Sequence, residues 1–371
     1  MLYYLLDYLR KSYDIPGGGL ISYITFRSAA AALTALFLSF YLSPKIIKKL
    51  QKHQIGEAKK IDGPKFHWSK AGTPTMGGII VMLSVVIPVL LFGAIKSQYI
   101  ILVLGGTIWL SAVGFIDDYL KVIKKLPNGL IARYKLLGQV LIGLIVGIVL
   151  YYSHTLSPDA PNTVTTVPFL KNVNFDFGIF YIPVVVFIIT ATSNAVNLTD
   201  GLDGLAIGLT TIVMLAFALI CYVSGNHIWS SYLNIIYLPG AGELTVFVAA
   251  LIGAGLGFMW FNSYPAQVFM GDTGSLALGG ALGILSVLVK KELLIPILGG
   301  IFFMETISVI IQRVYFKYTK LKYGEGRRVF KMAPIHHHFE MLGWPEPKIV
   351  IRFYIIAIIL TIISLTSFKI R

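Results

Sequence analysis

The sequence predicts an all-α, polytopic integral membrane protein, on three observations. Hydrophobic residues make up 56% of the chain and charged residues 13%, with a mean hydropathy of +0.77; a soluble domain carries about 25% charged residues. The apolar residues gather into ten runs long enough to cross a bilayer. The basic residues concentrate in alternate loops between those runs.

The runs cover roughly 21–43, 74–95, 98–116, 136–152, 180–198, 204–223, 243–261, 274–290, 293–316 and 349–369. Residues 1–19 are polar and aromatic and end in Gly17-Gly18-Gly19. They lack an apolar core of the signal-peptide kind, so the first run is expected to act as the insertion signal. The loop after the first run carries Lys45, Lys48, Lys49, Lys52, Lys59, Lys60, Lys65 and Lys70. The loop after the third carries Lys121, Lys124, Lys125, Arg133 and Lys135. Around and after the end of the ninth come Arg313, Lys317, Lys320, Lys322, Arg327, Arg328, Lys331 and Lys348. The even loops hold only Lys96, Lys171, Lys290 and Lys291. Positive charge stays inside, so the odd loops are expected in the cytoplasm and both termini outside. The formal charge of +14 then reads as attraction to anionic headgroups, not to nucleic acid.

The remaining segments are read as structural. Residues 167–181 alternate apolar and polar around Lys171-Asn172, which predicts a small external hairpin. Residues 227–238 are aromatic-rich and are expected in the interface. The single cysteine, Cys221, lies in an apolar run, which excludes an intrachain disulfide or a cysteine zinc cluster. No internal repeat or separate soluble domain stands out, so residues 1–371 read as one membrane domain.

Under this topology Asp117, Asp118, Asp200, Asp203 and Asp272 all face the cytoplasm, although they come from three separate loops. Bare carboxylates at a bilayer edge are costly and are expected to hold something positive. Adjacent Asp117 and Asp118 repel unless a divalent cation or nearby lysines intervene, and Lys121, Lys124 and Lys125 follow on the next turns. A solvated helix end with surface ion pairs is the competing reading. Asp200 and Asp203, three apart, would share a face in a helical turn. In residues 262–275 Pro265 breaks the helix, Gly271 and Gly274 allow close backbone approach, and Asp272, Thr273 or Ser275 can cap the eighth span. Beside the other acids, Asp272 reads as a metal ligand. An oxygen-rich set without cysteine favours magnesium over zinc. His336-His337-His338 cannot easily converge on one ion, so a phosphate or sugar is their expected partner, with a solvated loop as the alternative. Lys70, Thr73 and Thr75 precede Gly77-Gly78 and could meet phosphate or a base, or serve as loop and cap. Glu305 and Gln312, seven apart, share a helical face. Glu305 is expected to hydrogen-bond between helices and Gln312 to lie nearer the substrate.

These blocks together resemble the bacterial phospho-N-acetylmuramoyl-pentapeptide transferases, of the polyprenyl-phosphate N-acetylhexosamine-1-phosphate transferase superfamily. The matching pieces are KAGTPTMGG (70–78), GFIDDY (114–119), SNAVNLTDGLDGLA (193–206), FMGDTGS within 262–275, and PIHHHFE (334–340). Five blocks in order are specific, and PIHHHFE points to the muramoyl branch. The resemblance covers nearly the whole chain. It implies transfer of phospho-N-acetylmuramoyl-pentapeptide from its UDP donor to undecaprenyl phosphate, giving lipid I and UMP, the first membrane step of peptidoglycan synthesis. It also implies a Mg2+ cofactor, a homodimer and a bacterial cytoplasmic membrane.

For the mechanism, Asp272 is the first choice of metal ligand, ahead of Asp117 and Asp118; Asp117 is expected to contact the lipid phosphate and is a candidate to accept its proton, and Asp118 supports the metal or that geometry. Asn194, Asn197, Asp200 and Asp203 line the nucleotide–sugar side. By the same resemblance, Lys70, Asp203 and Phe269 are candidates for uridine recognition; Thr75 and Asn262 belong to the same substrate-facing set. Lys121, Lys125 and Arg133 attract phosphate, and Gln312, His336 and His337 serve the substrate, the histidines at the sugar-phosphate end. Direct attack of the lipid phosphate is preferred to a phospho-aspartate intermediate. The rival readings are a sister amino-sugar-phosphate transferase, a secondary transporter and a structural scaffold.

Overall fold

The computed structural model describes residues 1–13, 18–52, 72–126, 129–153, 161–170 and 173–370. Its helices are α1 (Leu2–Tyr13), α2 (Ile24–Lys52), α3 (Gly78–Phe92), α4 (Gln98–Asp118), α5 (Ala132–Tyr152), α6 (Tyr181–Thr199) and α7 (Leu205–Ser224). After them come α8 (His227–Tyr232), α9 (Leu244–Asn262), α10 (Gly271–Leu288), α11 (Ile295–Leu298), α12 (Gly300–Tyr323), α13 (Ile335–Glu340) and α14 (Glu346–Ile370). Among the described residues, eight helical segments are long and apolar enough to cross a membrane. They correspond to eight of the ten expected runs.

The other two runs differ from expectation for local reasons. The run at 74–95 yields only the 15 residues of α3, because residues 74–78 are drawn into backbone pairing with 269–270. The run at 293–316 is not one helix. It breaks at Gly299 into the short α11, with Pro296 in its first turn, and the longer α12. The second half of α12 carries Arg313, Lys317, Lys320 and Lys322 and stays outside the bundle, with few buried residues. Residues 2–13, read only as polar-aromatic, form the amphipathic helix α1 with no buried residue, as a surface-lying helix does.

The hub is α10, the most enclosed of the candidate spans, packed against α3, α4 and α6. Small residues make this possible. A Cβ at Gly279 would collide with the Thr192 carbonyl of α6, and one at Gly280 with the Leu110 side chain of α4. Close packing of this kind is how helices associate in a bilayer, where burial from water supplies no driving force. The N-terminal turn of α10 is equally tight: Cβ atoms at Gly78 and Gly114 would overlap the backbone of Gly274 and Asp272.

Chain direction sorts the bundle into two ends. The C-terminal ends of α4, α6 and α9 meet the N-terminal ends of α5, α7 and α10, and these carry the acids. The opposite end is closed by polar locks. Arg27 forms a bidentate pair with Glu243 at 2.6 Å, under the ring of Tyr3 from α1. The expected hairpin is present, but its strands are β1 (Val164–Thr166) and β2 (Asn174–Asp176), antiparallel with Thr165 opposite Phe175. Thr165 Oγ1 donates to Glu292 Oε2 (2.6 Å), Lys290 Nζ to the Tyr181 hydroxyl (2.9 Å) and Lys291 Nζ to Thr166 Oγ1 (3.0 Å). Burial pushes the Glu292 carboxyl up and the Lys290 ammonium down from their ordinary values. The aromatic segment at 227–238 forms α8, with Ile228, Trp229 and Tyr232 exposed, as an interfacial helix requires.

The contact at Gly114 is directly testable. Gly114→Val forces α4 away from the first turn of α10 and is expected to destabilise by about 1–3 kcal/mol, read as a lower unfolding midpoint in detergent. An unchanged midpoint with full activity would show that the two backbones need not touch.

Candidate active site

The site begins with how α4 ends. Asp117 and Asp118 close its last turn, and both are buried. The chain then widens into a π-type turn over Tyr119–Ile123, which carries Lys121. Asp118 points toward α10. Its Oδ1 accepts the Asp272 N–H (3.1 Å), and its Oδ2 accepts the Thr273 N–H (2.9 Å) and hydroxyl (2.6 Å). A carboxylate on the free N–H groups of a helix terminus is favourable through both hydrogen bonding and the helix dipole. This corrects the expectation that Asp272, Thr273 or Ser275 caps α10. No side chain of α10 does so, and the cap comes from α4.

Asp272 is thereby placed in the first turn of α10, facing Asp117. Lys135 Nζ lies 2.9 Å from Asp117 Oδ2 and 2.6 Å from Asp272 Oδ2. Lys121 Nζ lies 2.5 Å from the first and 3.0 Å from the second. Asp117 Oδ1 accepts the Leu130 N–H (2.7 Å), from a loop where Gly129 has φ +54°. Asp272 Oδ1 accepts from Asn197 Nδ2 (2.7 Å), which also donates to Ser275 Oγ (2.8 Å). One oxygen from each of Asp117, Asp118 and Asp272 lies within 4.8 Å of the others. Such an all-oxygen set suits a hard divalent cation, and the two lysines mark where positive charge is held.

The nucleotide-side candidates fall partly together. Residues 200–204 form a tight turn between α6 and α7, with Gly204 at φ +79°, and not the helical turn expected for Asp200 and Asp203. Gly201 and Gly204 interrupt the helix between the two acids. Asp200 ends α6. Asp203 is buried, its Oδ2 accepts the Ala266 N–H (3.0 Å), and its own N–H donates to Glu346 Oε1 (2.6 Å). Asn262 braces the same two loops: Oδ1 accepts from Gly204 N (3.2 Å) and Nδ2 donates to the Val268 carbonyl (2.8 Å). Phe269 is half-buried in a segment tied by backbone bonds to Pro74 and Gly77. Thr75 is buried beside Gly271, close to Asp118. Lys70 lies outside the described residues. A groove of 580 Å³ lined by Phe40, Asp203, Trp260, Tyr264, Ile351 and Tyr354 contains none of the three clustered acids.

Other candidates stand apart from the acids. Asn194 Nδ2 donates to Gln139 Oε1 on α5 (2.8 Å) and to the Thr190 carbonyl (2.8 Å). Gln312 binds the 329–330 backbone through three hydrogen bonds of 2.9–3.0 Å. Lys125 is exposed, and Arg133 is exposed over the Tyr134 ring. His336 is buried against Glu305 of α12, and His337 Nδ1 lies 2.6 Å from Glu340 Oε2. Sequence reasoning counted Lys135 only as a loop charge. Its position in the first turn of α5, beside the end of α4, is the signal that could have singled it out.

Comparison with known proteins agrees with this geometry. Residues 100–290 match the model of glycosyl transferase family 4, and residues 70–81 match phospho-N-acetylmuramoyl-pentapeptide-transferase signature 1. A phospho-N-acetylmuramoyl-pentapeptide-transferase of Chloroherpeton thalassium is 53% identical over 371 residues, all of both chains. Those of Flavobacterium psychrophilum and Chlorobium limicola are 47% and 49% identical, again over all of both chains. The transporter and scaffold readings give way to these matches. The chain belongs to the phospho-N-acetylmuramoyl-pentapeptide-transferase family within glycosyl transferase family 4.

Proposed function

We propose that Asp117, Asp272, Lys121, Lys135 and Asn197 form the transfer centre of a magnesium-dependent enzyme of the bacterial inner membrane. The enzyme moves phospho-N-acetylmuramoyl-pentapeptide from its UDP donor to undecaprenyl phosphate, giving lipid I and UMP. The observation that carries this reading is the four-way contact of two lysines with Oδ2 of both Asp117 and Asp272. The acids would hold Mg2+ through one oxygen each, with Asp118 at the edge of the set because its Oδ2 already accepts two hydrogen bonds. Bound there, magnesium supplies charge neutralisation for the diphosphate.

The residues then divide the work. Lys121 and Lys135, held by the carboxylates, would bind the two phosphates. Asn197 holds Asp272 in its rotamer. Asp117 places the lysines, because its oxygens already accept Leu130 N–H and both ammonium groups. It need not act as a strong base, since a phosphate monoester is mostly dianionic at neutral pH. A lipid phosphate oxygen attacks the β-phosphorus, and the bond from that phosphorus to the oxygen bridging to UMP breaks. Positioning is the larger task. Asp203, Asn262, Phe269 and Thr75 frame the uridine side, with Lys70 and Asp200, while His336, buried against Glu305, and His337, held by Glu340, support that side from behind. Both termini lie outside the cell and the acid-bearing end faces the cytoplasm, where the soluble donor arrives. The chain works as a homodimer.

Three outcomes are expected. UMP release from the muramoyl donor requires both substrates and Mg2+, and Asp272→Asn lowers kcat by roughly a hundredfold to a thousandfold. A full rate in Asp272→Asn would remove Asp272 from the centre, and release with UDP-N-acetylglucosamine alone would favour the sister branch. Lys135→Ala lowers kcat and also lowers the Mg2+ concentration needed for half-maximal rate, because a competing cation is gone; an unchanged Mg2+ dependence would contradict the shared position. Light scattering of the purified protein gives twice the 40.9 kDa chain mass; a monomer with full activity would rule out a required dimer.

A further inference from the structure

Glu305 is fully buried on α12, a helix whose other faces are largely exposed. It is expected to hydrogen-bond between helices, and the helix it meets is the short α13. Its Oε2 lies 3.1 Å from His336 Nδ1 and 3.4 Å from the His336 backbone N–H, which it accepts. One carboxylate oxygen thus accepts the main-chain N–H and lies against the ring of the same residue, at the first turn of α13. A carboxylate at that depth is costly unless it is paired or does something.

The other edge of the imidazole has a specific neighbour. A Cβ built on Gly201 would overlap His336 Nε2 and come within 2.8 Å of Cε1. The histidine therefore fills the side-chain space of position 201, midway along the turn that carries Asp200 and Asp203. Both ring nitrogens are buried and neither has a hydrogen-bond partner among the described residues, so the ring is held by packing and by its ion-pair contact with Glu305. Gly201 is not at positive φ, so the ring, and not the backbone conformation, is what requires glycine there. His337 packs edge-on against His336 with ring centroids 4.2 Å apart, and its own Nδ1 is held by Glu340. The ring of His336 is confined on three sides by Glu305, Gly201 and His337.

We infer that Glu305 is a positioning residue for the transfer reaction, holding His336 against Gly201 so that the Asp200–Asp203 turn keeps its donor-binding form. The inference rests on the reading that this turn faces the UDP donor. It makes α12 and α13 the support of a loop that belongs to α6 and α7. No proton moves and no bond forms through Glu305; its effect is on where the donor sits.

The test is initial-rate UMP release by the purified full chain, varying each substrate in turn. Glu305→Ala raises the donor KM roughly tenfold and leaves the lipid KM within about twofold. Glu305→Gln retains most of the wild-type donor KM, because its amide oxygen still accepts the His336 N–H. Gly201→Ala raises the donor KM in the wild-type background and adds nothing in His336→Ala, where the colliding ring is gone. That last arm leaves Glu305 intact, so it decides the matter even where Glu305→Ala fails to fold. Equal rises in both KM values, or additive effects of Gly201→Ala and His336→Ala, would overturn the inference. Asp203→Asn with an unchanged donor KM would sink the donor-loop reading itself, and the inference with it, in a variant that touches neither Glu305 nor His336.

Discussion

Two like-charged carboxylates sit face to face at the end of a membrane bundle, and they can do so only because two ammonium groups lie between them. Asp117 and Asp272 each meet Lys121 and Lys135 through Oδ2. Without that positive charge the two carboxylates would repel each other. The rest of the site exists to bring these four groups together. Asp118 seats the amides of α10 on the end of α4, Gly78 and Gly114 let the backbones touch, and Asn197 reaches across from α6 to fix Asp272. A divalent cation carries the same charge as the two lysines, so exchanging one for the other leaves the cluster's net charge unaltered.

The two ends of the bundle are built differently. At the end away from the acids, polar groups are buried and spent on each other: Arg27 with Glu243, and Thr165 and Thr166 with the 290–292 segment. At the acid-bearing end the charged groups converge on one another, with two lysines shared between two carboxylates. That asymmetry suits a reaction in which one substrate arrives from water and the other stays in the membrane.

Much of this was legible in the sequence, and for identifiable reasons. Hydropathy and loop charge placed Asp117, Asp118 and Asp272 on one face before any geometry was known, because helix direction alternates with each span. Asn197 was nominated with the nucleotide side and stands on Asp272. A hairpin was expected within 167–181, but its first strand, 164–166, precedes that segment, and its strands are uniformly buried and uniformly exposed, not alternating. What was not legible depends on which atom faces which. Asn194 and Asn197 lie three residues apart on α6, yet one binds α5 and the other α10, a split set by the positions of both neighbouring helices. Lys135 was indistinguishable from other loop lysines until α5 was seen to begin beside the end of α4. Gln312 pointed inward by spacing but is consumed by the backbone of the loop that follows α12. The cap of α10 comes from another helix, which no local sequence rule anticipates. The break at Gly299 was written in Pro296 and Gly299-Gly300, but the apolar run concealed it.

The central claim is that Asp272 and its neighbours hold the cation at the donor's diphosphate. Electron paramagnetic resonance of Mn2+ bound to the detergent-solubilised protein, with UDP-N-acetylmuramoyl-pentapeptide present, reads this directly. The account predicts a bound Mn2+ with phosphorus hyperfine coupling from the donor, both lost in Asp272→Asn. Mn2+ bound equally by Asp272→Asn, with the same phosphorus coupling, would contradict it.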